Sequence, residues 1–166
     1  KANEINSKKL EELSGQKIVF KAITEGEFNQ NAFPADDQLE LKTGAQVMFI
    51  KNDPTGQQKF FNGKIGIIKA FEKDAILVLG DGDKEVTAVK KYKWENVSYH
   101  LNAATNEIEE SVNGEFHQYP LRLAWAITIH KSQGLTFDKA VIDAGDAFAP
   151  GQVYVALSRL RSLQGL

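Results

Sequence analysis

Between Ala45 and Phe116 the chain is cut, at short and regular intervals, by sequences that favour turns: Asp53-Pro54-Thr55-Gly56, Asn62-Gly63, Gly80-Asp81-Gly82-Asp83 and Asn113-Gly114. Glycine supplies the positive φ that tight hairpins need, and proline withholds a backbone donor, so no long helix can cross this region. The runs left between the turns are rich in β-branched and aromatic residues: Ala45–Ile50, Lys64–Phe71, Ala75–Leu79, Glu85–Val89, Trp94–Leu101 and Glu107–Val112. Strands this short and this close in sequence pair with their antiparallel neighbours. The spacing predicts a small antiparallel β-barrel.

The flanks have a different texture. Ala2–Leu13 reads as a helix with a thin apolar stripe of Ile5, Leu10 and Leu13, and Gly15 sits where it would stop. Lys17–Ile23 alternates Ile18, Phe20 and Ala22 on one face, as a strand does, and Phe28–Asp37 reads as a loop. After Pro120 the pattern predicts a helix over Leu121–Gln133, a short strand over Ala140–Asp143, and a helix over Val153–Leu160 behind Pro150 and Gly151. Helix and strand at the start, with helix, strand and helix at the end, make one α/β layer. The expected organisation is a discontinuous unit of residues 1–44 and 118–166, interrupted by a barrel over 45–117.

Composition narrows the chemistry. The 166 residues carry 20 basic and 22 acidic side chains, a net charge of −2, so nucleic-acid binding through bulk charge is disfavoured and any such site must be local. Residues 121–166 hold a net +2 and the rest −4, which puts the positive end after Pro120. The absence of cysteine excludes disulfides, thiolate-ligated zinc and thiol nucleophiles. Three scattered histidines predict no metal site. No apolar run is long enough to span a membrane and no signal peptide is visible, so the expected setting is cytoplasmic, without a membrane partner. The chain begins at Lys1 and stops soon after a basic pair, which reads as a fragment of something longer.

Two polar clusters interrupt apolar surroundings in the positive end. Thr128-Ile129-His130-Lys131-Ser132-Gln133-Gly134 brings hydroxyls, an imidazole, an ammonium and an amide to one place, with a glycine that permits close approach. Such donors suit phosphate oxygens, and they equally suit a solvated helix end. The second, Gly151-Gln152-Val153-Tyr154-Val155-Ala156-Leu157-Ser158-Arg159-Leu160-Arg161, ends a helical pattern on arginines, and Arg159 by itself is no more than a charge favourable to the helix dipole. A hydrolase built on His130 and Ser132 is disfavoured, because no GxSxG elbow and no acidic partner for the histidine accompany them.

In this order, the clusters closely resemble the fifth and sixth motifs of superfamily 1 DNA helicases of the RecD-like branch (superfamily 1B). The fifth is matched by Ala126 to Asp138 and the sixth by Tyr154 to Arg159. Leu41–Ile50 and Asn62–Gly66 look like that family's lead into its inserted domain, and the helix around Asn3 and Asn6 like the start of its second motor lobe. The resemblance implies an incomplete RecA-like α/β second lobe, interrupted by an SH3-like barrel. It implies translocation on single-stranded DNA, 5′ to 3′, with unwinding driven by ATP. It makes Arg159 the catalytic arginine finger and places Gln133, Gly134 and Arg159 at the nucleotide. Thr128, His130, Lys131 and Ser132 become the DNA-gripping face. Thr136 stands where a related branch has a ribose-contacting glutamate, which leaves that contact in doubt here.

The same resemblance assigns ATP and Mg2+ mainly to an N-terminal RecA-like lobe of the parent chain. No GxxxxGK[ST] P-loop occurs in this sequence, so the fragment alone is expected neither to hold them nor to hydrolyse ATP. Lys90-Lys91-Tyr92-Lys93-Trp94 and Lys59-Phe60-Phe61 interleave cations with rings. Lys90, Lys91 and Lys93 are candidates for the DNA backbone, whereas Trp94 and Phe61 are expected to fill the core. The alternative function is a non-catalytic module that binds single-stranded nucleic acid or another protein.

Overall fold

The structure, a computed structural model, describes residues 1–102, 107–145, 149 and 151–166. Among them are two α-helices and ten strands, α1 (Ala2–Glu12), β1 (Ile18–Lys21), β2 (Ile23–Gly26), β3 (Gln38–Leu41), β4 (Gln46–Phe49), β5 (Ile65–Phe71), β6 (Ile76–Gly80), β7 (Val86–Val89), β8 (Tyr92–Asn102), β9 (Glu107–Gln118), β10 (Leu121–Leu123) and α2 (Gly151–Leu157). The fold is mixed α/β and mostly sheet. Its three sheets are antiparallel: β1-β3, a five-stranded β10-β4-β5-β6-β7, and β2-β9-β8.

The expected strands between Ala45 and Phe116 form, and Gly63 and Gly82, both at positive φ, lie in the β4–β5 and β6–β7 connections. Asn113-Gly114, however, is not a turn: it lies inside β9, at an irregularity in the pairing where Gly114 stands opposite both Asn96 and Gly26. No closed barrel is found among them. The five-stranded sheet ends on β10 at one edge and β7 at the other, which do not pair, so it is open. β8 and β9 leave it altogether to make a long hairpin joined by β2. Strands on either side of residues 44 and 117 also pair with each other: β10 with β4, and β2 with β9.

Two expected elements are corrected. Leu121–Gln133 is not a helix: Leu121–Leu123 is a strand, followed by an irregular stretch and a 3-10 turn over His130–Ser132. The open edge of β4 competes for this backbone and takes it, with Leu121 opposite Phe49 and Leu123 opposite Val47. The carbonyls of Ala124 and Ala126, which a helix would use internally, accept instead from the side-chain amides of Gln46 (2.8 Å) and Asn6 (2.8 Å). Ala140–Asp143 is not a strand either. Val141 is 99% exposed, and Ala140 N–H finds a single carbonyl, that of Gly165, at 2.9 Å. Pro150 lies outside the described residues, so its expected place ahead of α2 has no structural account.

The main core is built from Leu10 of α1, Leu39 and Leu41 of β3, Val47 and Phe49 of β4, Ile68 of β5, Ile76 and Val78 of β6, Val89 of β7 and Leu121 of β10. The α1 stripe differs from expectation by one residue. Ile5 is 42% exposed, and the buried face is Asn6–Leu10, with Leu13 packed against the core. Phe60, not Phe61, is the aromatic filler: it stacks on Phe49 at 4.4 Å, while Phe61 is 59% exposed. Trp94 is half-buried against Phe116 at 5.9 Å.

Buried amides tie the sheets together. Gln118, fully buried, donates to the carbonyls of Phe20 (2.9 Å) and Asp36 (3.1 Å) and accepts from Tyr119 N–H (2.9 Å). Lys42, also buried, donates to Leu13 O at 3.0 Å and so closes the C-terminal end of α1. Gln118→Leu keeps the volume but strands those buried partners. It should cost about 1–3 kcal/mol, read as a lowered denaturation midpoint with unchanged far-UV circular dichroism.

Candidate functional site

The first cluster is a tight turn on the end of a clamped strand. β10 stops at Leu123, and the backbone of residues 124–126 is then held by two other elements. Ala124 donates to Gln46 O (3.0 Å) and accepts from Gln46 Nε2 (2.8 Å); Ala126 donates to Asn6 Oδ1 (2.9 Å) and accepts from Asn6 Nδ2 (2.8 Å). The turn that follows is closed by Ser132 N–H to the carbonyls of Thr128 (3.1 Å) and Ile129 (3.2 Å). Thr128 Oγ1 accepts from Lys131 N–H at 3.3 Å, at the longer end of useful bonds.

The turn sorts its side chains by exposure. Thr128, His130, Lys131, Gln133 and Gly134 are exposed, with Gly134 at φ +77, while Ser132 is buried and its hydroxyl donates to Ile129 O at 2.7 Å. Ser132 therefore shapes the turn, and its hydroxyl is engaged with the backbone. That position also removes it as a nucleophile for His130. Lys131 borders a polar cleft of about 260 Å³ between α1, β3 and β10, where Arg122, Gln38 and Ser7 also line the wall.

The second cluster sits at the end of α2. Arg159 is half-buried and folded back on its own helix: Nε donates to Val155 O (3.2 Å) and Nη2 to Ser158 Oγ (2.9 Å). Arg161 is exposed and pairs with Asp138 at 3.1 Å. A short parallel bridge joins the two clusters. Phe137 N–H donates to Arg159 O (2.8 Å), and Arg161 N–H donates to Phe137 O (3.1 Å). Both backbone groups of Phe137 are thereby spent on the segment that carries Arg159. The exposed Thr136 directly precedes this bridge.

Beneath the bridge lies a second apolar cluster. Met48, Ala124 and Leu135 form its centre, with Ile50, Ile65, Ile127 and Phe137 packed on it. Leu135 is therefore in contact with the β4–β5 sheet. Gly63, at φ +95 in the β4–β5 connection, packs so closely that a Cβ there would collide with Leu135 Cδ2.

The lysines of the hairpin base are dispersed. Lys93 is held between Glu95 (2.7 Å) and Glu115 (2.8 Å), an arrangement that raises its pKa and lowers that of Glu115 through the shared hydrogen bond. Lys91 lies over the Tyr119 ring at 5.9 Å, and Lys90 is exposed. From residue 94 to residue 121 the sequence has five glutamates and no lysine or arginine. Among the described residues, no three His, Asp or Glu converge on a metal position, and no helix is long and apolar enough to cross a membrane.

Residues 123–163, which hold both clusters and the bridge, match the family described as the UvrD-like helicase C-terminal domain. Over 99% of its length the chain is 38% identical to the ATP-dependent DNA helicase Pif1 of Bdellovibrio bacteriovorus. Over 97% it is 37% identical to the human ATP-dependent DNA helicase PIF1. The unliganded Pif1 structure from Bacteroides sp superposes with a TM-score of 0.88 at 41% identity, over 98% of this chain and 37% of that one. The chain is a homologue of the Pif1 helicases, in superfamily 1B. It spans 36% of the Bdellovibrio Pif1 and 24% of the human one. Within this Pif1-like segment the two motif segments lie in contact, as the Phe137 bridge shows, whereas Lys90 and Lys91 lie in the β7–β8 connection and Lys93 on the hairpin sheet.

Sequence reasoning missed Asn6, Gln46 and the Gly63–Leu135 contact. Asn6 had one available signal, its place four residues before Leu10 on the buried side of a helix. Gly63→Ala loads a strained φ and a collision onto one site. It should cost about 1–3 kcal/mol in chemical denaturation, whereas Gly56→Ala, where no atom lies within 4 Å of the added Cβ, meets only the strain of its own φ.

Proposed function

We propose that this segment is the second motor lobe of an ATP-dependent helicase that moves on single-stranded DNA, 5′ to 3′, and unwinds duplex. Residues 1–44 and 118–166 form that RecA-like lobe, and 45–117 an inserted β module of SH3-like type. The observation that carries the reading is the Phe137 bridge, because it puts the turn that would grip phosphate and the helix end that bears Arg159 into one hydrogen-bonded unit. A displacement of one is then a displacement of the other, which is what coupling DNA movement to the nucleotide cycle requires.

Each side chain has a task in this reading. Thr128, His130 and Lys131 present an exposed hydroxyl, imidazole and ammonium to the DNA backbone, with Ser132 fixing the turn behind them. Phosphate contacts carry no base information, so grip without sequence choice follows. Arg159 exchanges its contacts with Val155 O and Ser158 Oγ for the γ-phosphate when the lobes close. Gln133 and Gly134, both exposed, line the same side of the nucleotide.

An N-terminal lobe of the same polypeptide is the partner that completes the site. ATP with Mg2+ supplies the free energy of lobe closure, and the residues present here fit only the arginine side of its pocket, since the sequence has no P-loop. The segment by itself is therefore not expected to hydrolyse ATP. Support from relatives is direct in kind: Pif1 of Bacteroides has been solved bound to single-stranded DNA, and with ADP-AlF3 and single-stranded DNA together. A non-catalytic binding module is less well supported, because it would have no use for Arg159. An intracellular, DNA-associated location follows from the same reading.

In the full-length helicase, Arg159→Ala should lower DNA-stimulated ATP turnover by about 10³-fold or more while folding is retained. Turnover equal to wild type would remove the arginine from the mechanism. Lys131→Ala should weaken single-strand binding and reduce the slope of log affinity against log salt by about 0.7–1. An unaltered slope would take Lys131 off the DNA face.

A further inference from the structure

α1 buries an amide where packing alone would favour leucine. Asn6 is 8% exposed, on the same face as Leu10, and its side chain meets both backbone groups of Ala126, 120 residues away. The two bonds, 2.9 Å to the N–H and 2.8 Å from the C=O, reproduce what a neighbouring strand would provide. A longer contact of 3.5 Å reaches Leu123 O. Burial of a primary amide is costly unless both of its ends are used, and here both are. The clamped residue lies two positions before Thr128, at the point where the backbone leaves β10 and enters the turn. Nothing in the sheet holds that point, since β10 has ended at Leu123.

We propose that Asn6 is a positioning residue for DNA binding. It fixes the height and tilt at which the Thr128–Ser132 turn meets the phosphates, without touching them. The proposal rests on the reading that this turn grips single-stranded DNA. A turn anchored by two short bonds to a helix arrives at its ligand already ordered, and so loses less freedom on binding. If the donor end is lost, Ala126 O is stranded and the turn can sample other orientations.

The discriminating variant is Asn6→Asp in the full-length helicase, with ATP hydrolysis followed against single-stranded oligonucleotide concentration. The carboxylate still accepts from Ala126 N–H but faces Ala126 O without a proton to donate. The oligonucleotide concentration for half-maximal stimulation should rise about tenfold. As the pH falls, a buried carboxyl beside a carbonyl takes up a proton, can donate again, and should restore the wild-type value. Lys42→Met is the control, since it loosens the far end of the same helix at Leu13 O. It should lower the denaturation midpoint and leave the half-saturating concentration alone.

Equal losses of affinity in Asn6→Asp and Lys42→Met would make Asn6 merely structural and overturn the proposal. So would a normal half-saturating concentration for Asn6→Asp alongside a weakened Lys131→Ala, with the DNA reading left intact. If Lys131→Ala is also normal, the DNA reading fails and the proposal fails with it. Should Asn6→Asp not fold, Asn6→Ser removes the reach of the amide without adding charge and is held to the same comparison.

Discussion

Asn6 from a helix and Gln46 from a strand satisfy the backbone of Ala126 and Ala124 just where β10 has ended. An irregular backbone at the edge of a core must find partners for every N–H and C=O it buries. Most chains solve this with another strand. Here two side-chain amides and the Gln46 carbonyl do it, and they leave the next residues free to turn outward. The turn of Thr128–Ser132, with Thr128, His130 and Lys131 exposed, depends on that arrangement: without it, either a strand would continue or the segment would lose its fixed departure from the sheet.

Two further contacts extend the constraint in opposite directions. Forward in sequence, Phe137 gives both its backbone groups to the segment around Arg159, so the second cluster is tied to the first by hydrogen bonds. Sideways, Leu135 sits in the small core with Met48, Ile50 and Ile65, and presses on Gly63. The sheet of the inserted region is therefore the floor on which the polar turn rests. Close-packed interiors transmit displacement instead of absorbing it, and this floor is as close-packed as the backbone of Gly63 permits.

Much of this was legible in the residues. Gly63 and Gly82 marked two of the strand connections, the alternation in Ile18–Ala22 marked β1, and the two polar clusters on which the proposed site rests stood out from apolar surroundings, whereas Asn113-Gly114 read as a turn and is part of β9. What the sequence hid was set by competition at a distance. Leu121–Leu123 has no local reason to be a strand; the unpaired edge of β4 makes it one. The barrel expected from regular strand spacing did not close, because strand spacing fixes neighbours and not the path of the last two strands, which left to form their own hairpin. Ile5 and Asn6 are adjacent, and only the carbonyl waiting at Ala126 decides that the polar one is buried. Phe60 and Phe61 pose the same problem, resolved by which ring can stack on Phe49.

The central claim is that the Asn6 side chain holds Ala126 as firmly as a sheet would. Residue-resolved hydrogen exchange on this chain tests it most directly. The amide of Ala126 should exchange as slowly as those of Ala124, Phe49 and Ile68, which bond to the backbone carbonyls of Gln46, Lys64 and Ala45. Exchange of Ala126 as fast as that of the exposed turn residues His130 and Lys131 would contradict the account, since the clamp would then be open for much of the time.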